Sequence, residues 1–430
     1  MPMDEALTRL DAHLCDLGEV TIRDGLHVFG HAPHGFETCA KGESEGLLKA
    51  LDGRFVVPGP SGSPSRGQTD VLPTGRNLAT LDPRAIPTRA ATELGWRAAA
   101  EVVRRHLQEQ GDWPRRIVMD LWASPTLRSG GEDIAHALAL MGVRPTWDHA
   151  STRVTGFEIV PAPLLDRPRA DVTIRVSGAF RDTFPDQIAL LDQAARVVAA
   201  LNEDDDWNEL AAARRRGEAL SRVFGSAPGI YGAGVSAQAL DGEWSDRSDL
   251  GRTYLEGTSH AFGAGGEAQA DESFPQRVEQ AEAFVHVSDV AERDILDGDS
   301  AADTSRPQTP KARTLAEDVD RLVRGRLTNP RWIAGQLRHG WRGAAEIAQG
   351  VDALFAFAAT TDAVSSTSLD LVFAALLADE PIWEQIASAN PAAAQAIRDR
   401  LADARQRGLW ESRLNSVAAL FEDGRKEAAE

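Results

Sequence analysis

The sequence predicts an α/β fold, with a mostly parallel sheet layered by helices and followed by a mainly helical C-terminal region. Three observations carry this. Ile117 to Trp122 is a short apolar run of the kind a buried parallel strand shows, and Val143 to Trp147 and Val172 to Val176 read as further strands. Helix-length stretches alternate with them, at Thr88 to Gln110, Glu132 to Met141 and the amphipathic Pro185 to Leu201. After the acidic loop Glu203-Asp204-Asp205-Asp206 the pattern turns helical, except for Ala283 to Val287, which reads as a strand returning to the sheet.

A chain of 430 residues exceeds what one compact core usually holds. The pattern divides it into an N-terminal helical and loop segment (1–70), an α/β domain (71–225), a glycine-rich helical segment containing the returning strand (226–300) and a helical C-terminal domain (301–430). Within the first segment Asp4 to Leu17 has helical spacing, and Pro58 to Arg66 is a Pro/Gly/Ser loop. Asp297 to Lys311 is a polar linker, and helices follow from Thr314 onward.

The net charge of −19 argues against a general binder of nucleic acid or anionic membrane, although arginines cluster locally. Two cysteines, Cys15 and Cys39, are too few for a disulfide framework. The first residues lack the basic and apolar regions of a signal peptide, and no apolar run spans a bilayer, so a cytoplasmic protein is expected. No P-loop motif occurs, so ATP binding by that route is not expected.

The densest feature is Asn329-Pro330-Arg331-Trp332-Ile333 followed by Arg338-His339-Gly340-Trp341-Arg342-Gly343. Asn329 is a helix cap and Pro330 fits the first helical position. Gly335, Gly340 and Gly343 weaken the helix and bare its backbone. The run reads either as a docking surface for a flat or charged ligand or as a buried kink between packed helices. Gly130-Gly131-Glu132-Asp133 opens a helix just past a strand, where open α/β sheets bind ligands. Glu132 and Asp133 are either chemical groups or a pair favouring the helix dipole. Arg175, Arg181 and Asp182 bracket Ser177-Gly178 at another strand end, and form either a carboxylate-binding set or an internal ion pair. Tyr231-Gly232-Ala233-Gly234 and Phe262-Gly263-Ala264-Gly265-Gly266 are aromatic-headed glycine loops that suit a flat ligand or a helix end. His286, Asp289, Asp294, Asp297 and Asp299 mix imidazole with carboxylate, a set suited to Co²⁺, or form an exposed acidic loop. His27, His31 and His34 read as loop residues.

Together with Ile22 to Gly30, Leu72-Pro73-Thr74-Gly75-Arg76-Asn77, Leu81-Asp82-Pro83-Arg84, Asp120-Leu121-Trp122, Ser177 to Asp182, Pro228 to Gly234 and Arg407-Gly408-Leu409-Trp410, these runs resemble, in order, the large subunits of cobaltochelatase and magnesium chelatase. The Gly-Gly-Glu-Asp and Tyr-Gly-Ala-Gly forms look like the cobalt branch. The resemblance implies the C-terminal part of a large subunit that inserts Co²⁺ into hydrogenobyrinic acid a,c-diamide in aerobic cobalamin synthesis. It implies two kinds of AAA+ partner subunit that use ATP and Mg²⁺, and a corrin precursor as substrate; it leaves open whether a separate chain supplies the missing N-terminal region. It makes Glu132, Asp133 and His339 the candidates for catalysis, with Glu132 and His339 for metal handling. Arg76, Arg181, Arg338, Trp341 and Tyr231 become the candidates for substrate binding. The family carries a further segment after Leu296-Asp297-Gly298-Asp299 that is shortened here. The other readings it leaves are a non-catalytic tetrapyrrole-binding or motor-docking fragment, and a relative acting on another metal or ring.

Overall fold

The computed structural model describes Gly30 and residues 37–59, 72–76, 82–263, 269–288, 302–303 and 310–427. Ten strands run in chain order: β1 (Arg116–Leu121), β2 (Val143–Trp147), β3 (Val154–Ile159), β4 (Asp171–Val176), β5 (Val223–Gly225), β6 (His260–Phe262), β7 (Gln269–Ala270), β8 (Ala283–Ser288), β9 (Ala302–Asp303) and β10 (Lys311–Ala312). Eight form one sheet in the order β10-β9-β8-β1-β4-β5-β6-β7. Its centre is parallel, because β1 pairs in parallel with β4 and β8, β4 with β5, and β8 with β9. The edges turn antiparallel at β5–β6, β6–β7 and β9–β10.

Strand alternation sets the two faces. Ile117, Met119 and Leu121 of β1 and Val172, Ile174 and Val176 of β4 pack on one face with Val102, Ile134, Leu138, Ile188 and Leu191. Those partners come from helices Arg89–Gln110, Glu132–Leu140 and Pro185–Ala199. Thr88 caps the first of these, accepting from Ala91 N at 3.2 Å, and Gly111 ends it in the left-handed conformation. Every residue of Glu132–Leu140 is buried, as expected of a helix apolar on almost all sides. Each fully buried Leu, Ile or Val side chain contributes roughly 1.5–3 kcal/mol.

The returning strand is present as β8. Two expectations are corrected. Val143 to Trp147 is a strand, but it pairs antiparallel with β3 in a separate two-stranded sheet. The region after residue 206 is not helical apart from β8, since β5, β6 and β7 extend the main sheet. These strands are two or three residues long, too short for any period to show. Within the polar linker, Ala302–Asp303 and Lys311–Ala312 pair as β9 and β10. The stretch Asp4 to Leu17 lies outside the described residues.

The C-terminal helices build a second core around Trp332, Ile347, Leu354, Phe373, Ile397 and Trp410. The Trp410 indole N–H donates to Asp370 at 2.9 Å, so the ring is buried without an orphaned donor. Asn329 caps helix Pro330–Leu337, accepting from Arg331 N at 3.0 Å while its amide donates to Gly325 O at 3.1 Å. The run from Asn329 to Gly343 is two helices rather than one. Gly340 has φ +57° and starts helix Trp341–Thr360 in a new direction. A Cβ on Gly343 would collide with the Gln336 carbonyl, so the two helices cross at backbone contact.

Arginines tie the segment around Ala239 and Leu250 to the C-terminal helices. Arg247, which opens helix Arg247–Thr258, donates to the carbonyls of Ala358, Ala359 and Thr361 at 3.0, 3.2 and 2.9 Å, closing the C-terminal end of helix Trp341–Thr360. Arg400 donates to Leu240 O at 2.6 Å, and Arg407 to Trp244 O at 3.0 Å while stacking on the Trp244 ring.

At the amino end of β4, Asp171 is buried between Arg222 and Arg277. Arg222 Nη2 donates to Oδ2 at 2.8 Å, its Nε donates to Oδ1, and Arg277 Nη1 lies 3.4 Å from Oδ2. Burial, with Arg222 close by, pulls the Arg277 guanidinium down to about 10. Asp171→Ala leaves two buried cations uncompensated. It is expected to lower the unfolding free energy by about 3–5 kcal/mol, measured by urea unfolding. A loss below about 1 kcal/mol would show that the carboxylate behaves as an exposed one.

Candidate functional site

A cavity of about 720 Å³ lies at the carboxyl ends of the parallel strands, on the face away from helix Glu132–Leu140. Its floor is Val118, Asp120 and Trp122 from β1 and its exit, Arg175 of β4 and Phe284 of β8. One wall is the glycine segment from Tyr231 to Ala237, another is Leu250 and Tyr254, and the last turn of helix Trp341–Thr360 closes the top with Phe357 and Thr360. This is where open α/β sheets hold ligands, between two packed units and lined by aromatic groups.

Register builds the polar part of the floor. Asp120 is the strand partner of Arg175 on one side and of His286 on the other, so all three side chains leave the same face. Arg175 Nη1 donates to Asp120 Oδ2 at 3.0 Å. The guanidinium also lies over the rings of Trp122 and Tyr254, at 5.5 and 5.3 Å. Burial works against its charge, but Asp120 outweighs that and holds Arg175 above its ordinary range. The Arg175 Nε–H and the Trp122 indole N–H have no acceptor among the described residues. His286 is buried.

At the mouth, Tyr231 is 69% exposed and its phenol donates to Asp182 Oδ2 at 2.6 Å. Arg181 sets this loop. Its Nη1 donates to the carbonyls of Ser226, Ala227 and Ile230 at 3.0, 2.8 and 3.3 Å, its other nitrogens grip Asp182, and it faces the Tyr231 ring. Gly178 makes the close approach possible, because a Cβ there would lie 2.7 Å from Ile230 O and 2.9 Å from the Tyr231 ring.

Of the residues singled out in the sequence, the Tyr231-Gly232-Ala233-Gly234 loop lines the cavity, as do Arg175 and the Asp120-Leu121-Trp122 run through its first and third members. The others are elsewhere. Glu132 and Asp133 are 2% and 3% exposed at the start of the helix behind the sheet; Asp133 accepts from Thr126 Oγ1 and from Ile134 N at 2.9 Å. Arg181 is committed to the loop carbonyls and Asp182. Arg76 is exposed beside Gly59, whose N–H donates to its carbonyl at 2.8 Å. Arg338, His339 and Trp341 are exposed, with Trp341 at 68%, while Trp332 is a core residue. Helix Trp341–Thr360 separates that turn from the cavity: Trp341 and Phe357 are sixteen residues apart, roughly 24 Å at 1.5 Å per residue. The structure therefore does not bring the Arg338–Trp341 turn, Glu132 and Tyr231 into one site. His27, His31, His34, Asp289, Asp294, Asp297, Asp299 and residues 264–268 of the second glycine loop lie outside the described residues. Those described hold no cluster of three or more His, Cys, Asp or Glu side chains able to bind a metal, and no helix among them is long and apolar enough to cross a membrane.

Fold and cavity define a mostly parallel-sheet protein whose carboxyl-edge cavity is roofed by a helical unit. The chain belongs to the CobN/Magnesium Chelatase family, which it matches over residues 36–302 and 300–417. It is 45% identical, over 87% of its length, to the aerobic cobaltochelatase subunit CobN of Sinorhizobium sp. and covers 32% of that protein. It is 33% identical, over 89% of its length, to the chloroplastic magnesium-chelatase ChlH subunit of Oryza sativa subsp. indica and covers 30% of it. The catalytic subunit of cobaltochelatase from Mycobacterium tuberculosis shares the fold, with a TM-score of 0.81 and 35% identity over 90% of this chain and 36% of that one. The chain thus spans about a third of the length of the curated relatives it matches.

The Tyr231–Asp182 contact gives a pH signature. A carboxylate accepting from the phenol stabilises its neutral form, which raises the Tyr231 pKa above its ordinary value. The chain has two tyrosines, so phenolate absorbance resolves them. Asp182→Asn is expected to move one of the two midpoints downward and leave the other in place. Unchanged midpoints would mean that the phenol is not held by Asp182 in solution.

Proposed function

We propose that this chain forms part of the large subunit of an ATP-dependent cobaltochelatase, which inserts Co²⁺ into hydrogenobyrinic acid a,c-diamide in aerobic cobalamin synthesis. The carrying observation is the aromatic cavity at the carboxyl edge of the sheet, in a family whose cobalt-branch members resemble this chain at 45% and 43% identity. The physical task is to hold a flat conjugated ring, remove inner N–H protons and let Co²⁺ exchange water for ring nitrogens. Trp122, Tyr254, Tyr231 and Phe357 offer ring faces and edges for the macrocycle, whose conjugated surface is apolar. Its rim of carboxylates stays toward the open mouth. Arg181 acts there by fixing Tyr231 and the 226–231 backbone.

ATP hydrolysis then belongs to AAA+ partner subunits of two kinds, with Mg²⁺ bound there; the sequence has no P-loop of its own. The exposed Arg338–His339–Trp341 turn, far from the cavity, is then a surface for such partners rather than for the ring. Glu132, Asp133 and Arg76 take supporting places in this reading: the first two at the buried helix start and Arg76 on the surface. A second reading is a non-catalytic ring-binding or motor-docking fragment, which draws on the family match falling into two stretches, 36–302 and 300–417.

Titration with hydrogenobyrinic acid a,c-diamide, followed by its visible absorbance, separates the outcomes. Wild type is expected to bind. Arg181→Ala is expected to bind more weakly, by the equivalent of about 1.5–3 kcal/mol for lost charge-assisted bonds, through release of the Tyr231 loop. No binding by wild type would remove the chelatase reading and the ring-binding fragment, and leave only the motor-docking fragment. Binding without Co²⁺ insertion in the presence of the partners would select the fragment.

A further inference from the structure

Metal insertion needs a group that takes protons from the ring nitrogens, and the cavity offers few. Among its described lining residues Asp120 is the only carboxylate, and the titratable groups beside it are Arg175, Arg247 and the two tyrosines. Both cations are already engaged. Arg247 caps helix Trp341–Thr360 and pairs with Asp362, and Arg175 is bound to Asp120. Tyr231 donates to Asp182, which favours its neutral form. Glu132, the first choice from sequence, is buried behind the sheet and does not line the cavity.

Asp120 is also presented in one orientation. Arg175 Nη1 holds Oδ2 at 3.0 Å, and Oδ1 has no other hydrogen-bond partner among the described residues. The carboxylate is partly exposed, 18% for its side chain, on a floor otherwise made of Val118, Trp122 and Phe284. A carboxylate with one oxygen pinned and the other open to an apolar cavity has the arrangement expected of a general base.

We infer that Asp120 is the group that accepts the inner N–H proton of the macrocycle, with Arg175 as its positioning residue. The inference rests on the chelatase reading. In the step, the N–H bond breaks and the proton goes to Asp120 Oδ1. The electron pair stays on nitrogen and forms the bond to Co²⁺ as the metal loses water. No oxidation state changes, and the proton later leaves to solvent through the mouth beside Tyr231.

The test uses the assembled chelatase, with its partner ATPase subunits and the remaining large-subunit region, and compares wild type, Asp120→Asn and Asp120→Ala. Asn keeps an oxygen for Arg175. Asp120→Asn is expected to melt like wild type and to bind the ring within about twofold, while Co²⁺ insertion falls by about 10²-fold or more. Formate is expected to restore part of the rate to Asp120→Ala and none to wild type, which a merely structural role would not produce. Insertion by Asp120→Asn at the wild-type rate overturns the inference while leaving the chelatase reading intact. So does a defect in Asp120→Ala that formate does not relieve and that tracks lost ring affinity. A wild-type assembly that neither binds nor metallates the ring removes the functional reading, and this inference with it.

Discussion

The site depends on the register of three parallel strands. Because β8, β1 and β4 run side by side in step, His286, Asp120 and Arg175 leave the same face in one row, and Ile117, Met119 and Leu121 leave the other. Shifting β4 by one residue would turn Arg175 into the core and expose Ile174 or Val176, a change opposed by the burial of the whole apolar face. The hydrophobic layer thus fixes the polar pair on its opposite side. Arg175 stays charged there because Asp120, Trp122 and Tyr254 replace the water it has lost.

The second constraint is the attachment of the helical unit. Helix ends leave carbonyls unpaired, and Arg247 uses three of those at the end of Trp341–Thr360. That contact puts Phe357 and Thr360 over the cavity and the glycine segment between sheet and helices. The same helix carries Trp341 at its far end, exposed to solvent. One helix therefore joins the exposed turn that carries Arg338 and Trp341 to the roof of the cavity.

Much of the fold was legible in the sequence because it follows from local patterns. The central strands are apolar runs, Thr88 and Asn329 are caps, and the turn at Gly130–Gly131 opens a helix at the sheet's edge. Strands of two or three residues were not legible, having no period, nor was the pairing of β2 with β3 away from the main sheet. For the site, the sequence drew attention to Arg175, Arg181, Asp120-Leu121-Trp122 and Tyr231. It gave more weight to Glu132 and the Arg338–Trp341 turn, where charged or aromatic residues gather in a short span. Asp120 was marked only as part of its run and was given no chemical role. The signal that marks it is a single carboxylate at an alternate position of a buried strand, where an ionised group is costly without a function or a partner.

What the sequence alone determined were those features set by nearest neighbours along the chain: strand and helix periods, caps, glycine breaks and the absence of a P-loop. Its ordered motifs were also enough to resemble a chelatase large subunit. Only the tertiary structure decided which residues share a cavity. Asp120 and Arg175 are fifty-five residues apart, and Arg247 lies more than a hundred from the carbonyls it binds. Convergence over such separations depends on strand order, register and the docking of the helical core. Those are set by the burial of many side chains at once, and no local pattern records them.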